Sequence, residues 1–351
     1  MRVLCAIDSF KGCLSSAEAN AAAREGILAV RPDAEVLTLP VSDGGEGWLE
    51  AYRAATGGQV VQTIACDPLL RPIPTTYVIS GTTAVIEVAQ VIGLTLLAPD
   101  ERRPLEASSY GVGQLIVDAL GRGCARFIIG LGGSATSDAG RGILRALTDA
   151  FGTTAVPWHR LHVTIATDVR NPLCGPEGAA AVFAPQKGAT PAVVEALESR
   201  ARHFARLSAR RMGFDRSGHP GAGAAGGLGY AFIQYLGATC CPGADLLLDA
   251  FRFDDLLADA ALVVTGEGSA DRQTLMGKLP ERILRRCCSH GARAVLLAGR
   301  IDDRPALIQA GFADVLCINP PGLSPQEALR REVAIDNISY TLSCYLRHTL
   351  S

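Results

Sequence analysis

The chain has 351 residues, 48% hydrophobic and only 19% charged, with a formal net charge of -2. That is ample for a buried core and longer than one core ordinarily uses, so two domains are predicted. Charge so close to zero gives no sign of the basic surface that nucleic acid or an anionic membrane requires, and no apolar run reaches membrane-spanning length. The 11 cysteines are odd in number and show no C-x-x-C spacing, which argues for reduced thiols rather than a disulfide framework or zinc ribbon. The histidines are dispersed, without metal-ligand spacing. Asp8 and Lys11 interrupt the apolar start before it could serve as a signal peptide, so a cytoplasmic protein is expected.

In chain order, residues 2–7 read as a buried strand. Ser15 followed by Glu18 is a capping-box signature for a helix reaching about residue 30, and residues 35–39 form a second strand. Residues 60–66, 75–80 and 84–88 follow as strands, 106–120 as a helix, 126–130 as a strand, 139–150 as a helix and 162–167 as a strand. Residues 191–212 and 224–236 are helical. Residues 261–265 are a strand, followed by a glycine-containing loop and a helix from about residue 280; 294–298 and 313–318 are strands, and a closing helix starts at 325. This alternation predicts an α/β protein. Residues 1–58 and 258–351 compose a doubly wound, Rossmann/flavodoxin-like parallel-sheet domain of about five strands. Residues 59–257 form an inserted α/β domain with a mixed sheet.

Ligands of doubly wound sheets bind outside the carboxyl ends of the strands. Three loops are predicted at that edge: Asp8-Ser-Phe-Lys11-Gly12, Ser42-Asp43-Gly-Gly-Glu46-Gly47 and Gly266-Glu267-Gly-Ser-Ala-Asp271. Two further glycine loops open helices. Gly130-Leu-Gly132-Gly133-Ser134-Ala135-Thr-Ser-Asp138 suits an anion at a helix N-terminus, or is a plain capping turn. Residues 220–229, containing Gly226 and Gly227, could cradle a phosphate or act as a hinge. Asp168-Val-Arg-Asn171-Pro follows a strand; Asp168 could deprotonate a hydroxyl with Asn171 bonding it, or the pair forms an Asx turn.

Of 33 basic residues only three are lysine, Lys11, Lys187 and Lys278, and each adjoins a glycine. Lysine is a compact ammonium on a flexible stem, able to follow a moving phosphoryl group, and glycine admits close backbone approach to an anion. Phosphoryl transfer needs such cations, an oriented nucleophile and carboxylates for Mg²⁺, and Asp43, Glu46, Glu267 and Asp271 are available. Walker A and protein-kinase signatures are both absent.

Seven segments in order, DSFKG at 8–12, DGGEG at 43–47, GLGGSATSD at 130–138, DVRNPL at 168–173, PQKGA at 185–189, GAGAAGGLG at 221–229 and TGEGSADRQTLMGK at 265–278, resemble the bacterial glycerate kinases of type 1. The resemblance spans nearly the whole chain and includes all three lysines. It implies ATP- and Mg²⁺-dependent phosphorylation of D-glycerate at the 2-hydroxyl and an active cleft between two α/β domains. On this resemblance Asp168, Lys278 and Lys11 are assigned to catalysis. Asp8, Ser9, Lys11, Asp43, Asn171 and Lys187 are assigned to the acceptor. Gly132, Gly133, Ser134, Ala135, Asp138, Gly226, Gly227 and Lys278 are assigned to nucleotide phosphates, and Glu267 and Asp271 to the metal. The chain departs from the family pattern at Ser137-Asp138-Ala139-Gly140, where Asn-Asp-Gly-Gly is usual, and at Ser269-Ala270, where a basic-aliphatic pair is common.

Competing readings are a 3-kinase or a kinase of a related small hydroxy acid, an NAD-dependent oxidoreductase using the 130–138 loop, and a non-catalytic sugar-acid-binding regulator. The oxidoreductase lacks the ribose-binding acid that its fingerprint requires. A monomer or homodimer acting on small molecules, without nucleic acid or membrane, is expected.

Overall fold

The computed structural model describes residues 1–42, 47–152, 158 and 161–349. Asp43 and Glu46, two of the carboxylates singled out above, lie outside the described residues. Eleven strands run through the described chain: β1 Arg2–Ile7, β2 Glu35–Thr38, β3 Gln59–Cys66, β4 Pro72–Ser80, β5 Thr83–Glu87, β6 Arg126–Gly130, β7 His162–Ala166, β8 Thr239–Cys241, β9 Ala260–Ala270, β10 Ala294–Ile301 and β11 Asp314–Cys317. The chain divides into an outer unit, Met1–Asp43 with Ala244–Ser351, and a central unit, Gly44–Gly243.

The division falls at 43/44 and 243/244 instead of at 58/59 and 257/258. The helix Trp48–Thr56 belongs to the central unit, because Trp48 is fully buried there and its indole donates to the Gly243 carbonyl at 3.0 Å. The Leu49 amide donates to Glu87 at 3.1 Å. The helices Gly243–Ala250 and Phe253–Leu257 are held in the outer unit by ion pairs from Arg286 to Asp249 (2.7 Å) and Asp254 (3.3 Å). Contacts across sequence separations above thirty leave no periodic trace in the sequence, so neither edge is legible there.

The outer sheet has the order β11-β10-β9-β1-β2, every neighbour parallel. Counted along its own strands this is the flavodoxin-type order, with its switch point between β1 and β9. β1 is apolar and buried from Val3 to Ile7, as a strand covered on both faces must be. The predicted capping box is present, with Ser15 and Glu18 bonding reciprocally at the start of the helix Ser16–Leu28. Buried Asn20 ties this helix to both strands. Its amide donates to the carbonyls of Ile7 (3.1 Å) and Leu39 (3.3 Å), and its oxygen accepts from the Ile7 amide (3.1 Å).

One expectation is corrected here. The segment after residue 265 is not a loop: β9 continues to Ala270, pairing Gly266 with Leu297, Glu267 with Ala298 and Ser269 with Arg300. A Cβ at Gly266 would stand 2.6 Å from the Leu297 carbonyl oxygen, so this glycine permits strand pairing.

The central sheet has the order β3-β4-β5-β6-β7-β8, antiparallel from β3 to β5 and parallel from β5 to β8, the mixed sheet predicted. Its core includes Tyr77, Phe127, Ile129, Leu115, Tyr230 and Phe232.

Candidate functional site

In the outer unit a cavity of about 800 Å³ opens at the carboxyl ends of β1, β9, β10 and β11. It spans the switch point, where the sheet's topology favours a ligand. Its polar lining includes Asp8, Ser9, Lys11, Glu267 and Lys278. These five residues come from two of the predicted site segments, 8–12 and 265–278, and line one cavity. Lys11 is at the tip of a turn clamped by buried Phe10 and Leu14, whose backbones bond reciprocally at 2.9 and 3.0 Å. Among the described residues its amine has no ion-pair partner. Asp8 accepts from the Ser9 amide at 2.7 Å. Lys278, at the N-cap of the helix Leu279–His290, pairs with Glu267 at 2.9 Å. The other Glu267 oxygen accepts from the Thr274 hydroxyl at 2.6 Å.

Asp271 does something else. Its side chain accepts from the Gln273 amide at 2.7 Å and caps the short helical turn Arg272–Leu275. Among the described residues no three His, Cys, Asp or Glu side chains gather as a metal set. Glu267 and Asp271 therefore make no ready-made cage. Asp8 and Glu267 are the two carboxylates lining the cavity. One or two carboxylates completed by substrate phosphates and water is the donor set Mg²⁺ ordinarily takes, and these two fit it.

The central unit places Gly132 to Asp138 after β6, where Ser134 to Asp138 are buried and only Gly133 is exposed. The loop's backbone is stitched to its neighbours: the Leu94 amide donates to the Gly133 carbonyl at 2.8 Å, and the Ala135 amide to Ile92 at 2.8 Å. Asp138, assigned above to phosphate, accepts instead from the amides of Ser109, Gly140 and Gly142, each at 2.9 Å, and from the Ser109 hydroxyl at 2.8 Å. Lys187, assigned to the acceptor, is 3% exposed. Its amine donates to the Ser134 hydroxyl at 3.1 Å and the Thr136 carbonyl at 2.7 Å. Burial pushes this amine down to about 7, with the Asp138 carboxylate pulling it back up. Both residues therefore hold the loop together.

Gly226 and Gly227 are buried in left-handed backbone, φ +68° and +90°. A Cβ on Gly226 would fall on the Thr136 carbonyl oxygen, and one on Gly227 would stand 2.9 Å from the Ala139 Cα. The 220–229 loop thus packs against the 130–140 loop, and these glycines serve that approach rather than a phosphate. Ala139, where the family pattern has glycine, is itself left-handed at φ +55°. Asp168 is exposed at the carboxyl end of β7. Asn171 donates to the Glu177 carbonyl at 2.7 Å.

Sequence reasoning missed Ser109, which shares Asp138, and the cavity residues Cys317, Asn319, Leu323 and Leu329. The signal for the latter was present, since 317–319 end the last parallel strand on the ligand-binding edge.

The glycerate kinase family model matches residues 3–155 and 148–343. The chain is 38% identical to a glycerate kinase of Bacillus subtilis strain 168, covering 93% of this chain and 92% of that protein. It is 35% identical to the glycerate 2-kinase of Escherichia coli K12, covering 96% and 95%. A solved structure described as a putative glycerate kinase 2 from Salmonella typhimurium LT2 superposes with a TM-score of 0.85 at 35% identity, over 99% of this chain and 97% of that one. With the family model spanning nearly the whole length and these relatives matching from end to end, the chain belongs to the glycerate kinase family.

Proposed function

We propose that this chain transfers the γ-phosphoryl group of ATP to the 2-hydroxyl of D-glycerate, and that the charged lining of the outer-unit cavity takes the phosphates. The observation that supports this reading is the convergence of Asp8, Ser9, Lys11, Glu267 and Lys278 on one cavity at the switch point. Two ammonium groups there offset the charge of a polyphosphate and of the acceptor's carboxylate. In the transfer, the acceptor oxygen forms a new bond to the γ-phosphorus. The bond from that phosphorus to the bridging oxygen breaks, the electron pair leaves with ADP, and the hydroxyl proton passes to a carboxylate. Asp168, exposed and at a strand end, is the proposed base. Asp8 and Glu267 would hold Mg²⁺, which when bound neutralises phosphoryl oxygen charge.

The test is ADP release from ATP with D-glycerate, with ³¹P NMR distinguishing 2- from 3-phosphoglycerate. Lys278→Ala lowers kcat by about a hundredfold or more, and Asp168→Asn does likewise. Near-normal turnover by Asp168→Asn removes it as the base, and a 3-phosphoglycerate product overturns the regiochemistry.

A further inference from the structure

The cavity's lining is of two kinds, and only its charged residues have been given a role. The same cavity is also lined by apolar side chains, Cys13, Ile318, Leu323, Pro325, Ala328 and Leu329. Much of this apolar lining comes from the stretch after β11, where Ser324 and Glu327 cap the short helix Pro325–Ala328. Cys13 reaches the same stretch, its thiol donating to the Ala328 carbonyl at 3.9 Å. Leu329 is 56% exposed, a large apolar side chain left at the rim. Asn319, also lining the cavity, is held by donation to the Gly299 carbonyl at 2.8 Å and by accepting from Asn337 at 3.2 Å.

A three-carbon acid has neither the size to fill about 800 Å³ nor an apolar face to cover these side chains. A purine nucleotide has both a flat apolar base and a polyanionic tail. Resting on the kinase reading above, we infer that the nucleotide binds wholly in the outer unit. Its base lies against the Leu323–Leu329 wall, and its phosphates run toward Lys11 and Lys278. This location replaces the glycine loop assigned from sequence. In that loop Thr136 Oγ and Ser137 Oγ are buried without hydrogen-bond partners among the described residues, but they are sealed from solvent. Asp138 and Lys187 are committed to the loop's own backbone and hydroxyls. Little there besides Gly132 and Gly133 is open to a ligand.

The test titrates the whole protein with fluorescent N-methylanthraniloyl-ADP, a measurement that needs no turnover, and runs kinetics in parallel. Ala328→Trp, which fills the cavity from a partly exposed position, weakens binding at least about tenfold and raises the KM for ATP in proportion, while the KM for glycerate stays within about twofold. Leu329→Asn, at an exposed position that folding does not depend on, weakens binding by about threefold or more. Unchanged probe affinity in both variants overturns the location. A raised KM for glycerate with an unchanged KM for ATP overturns it too, because the wall then belongs to the acceptor. If the wild type binds the probe but makes no ADP with glycerate, the kinase reading fails, and the two variants still decide the location.

Discussion

Replacing Lys187 with methionine isolates the one buried lysine. The substitution keeps an unbranched stem of similar length and removes the amine that donates to Ser134 at 3.1 Å and Thr136 at 2.7 Å. Losing two such bonds costs about 1–3 kcal/mol. The burial of the amine works in the opposite direction, because its folded-state pKa of about 7 lies below that of a free lysine. The unfolded chain therefore binds more protons between pH 7 and about 10.4, and wild-type stability rises with pH across that window. Below pH 7 both states are protonated and the cost of the buried ammonium is constant. At 1.36 kcal/mol per proton per pH unit, the wild type gains about 2 kcal/mol between pH 7.5 and 9.5 from this group alone. Lys187→Met lacks that gain. Urea unfolding of both proteins at both pH values tests this, since every other titrating group cancels in the difference. The wild type's advantage should widen by about 2 kcal/mol at pH 9.5. Parallel pH profiles, with the difference constant to about 0.5 kcal/mol, would refute the claim that burial lowers this amine's pKa.

Two substitutions test the packing of the central loops. Gly226→Ala puts a methyl group on the Thr136 carbonyl oxygen in left-handed backbone and should lower unfolding stability by about 2–5 kcal/mol; a shift in denaturation midpoint worth less than about 0.5 kcal/mol would mean the two loops do not meet as described. Asp138→Ala leaves four donors of Ser109, Gly140 and Gly142 without an acceptor and should cost about 3–5 kcal/mol. If it instead raised the KM for ATP with unfolding unchanged, Asp138 would be a ligand contact and not the loop's organiser.

The chain's own pattern determined its class and most of its framework. Buried strands such as Val3–Ile7 are near-continuous apolar runs, and Ser15 with Glu18 marks a helix start through bonds between residues three apart. The polar residues that line the cavity, from Asp8 to Lys278, were also legible, because the carboxyl ends of parallel strands follow from strand order. Tertiary structure alone decided which way the glycines and lysines face. Gly266 proved to lie within a strand, and Gly226 against another loop, because what a missing Cβ makes room for is a neighbour distant in sequence. Lys11 and Lys187 look alike beside their glycines. One stands at an exposed turn tip and the other is 3% exposed beneath a loop. Whether an ammonium meets solvent or a carbonyl depends on burial, which is set by contacts between segments tens of residues apart and not by the residues on either side.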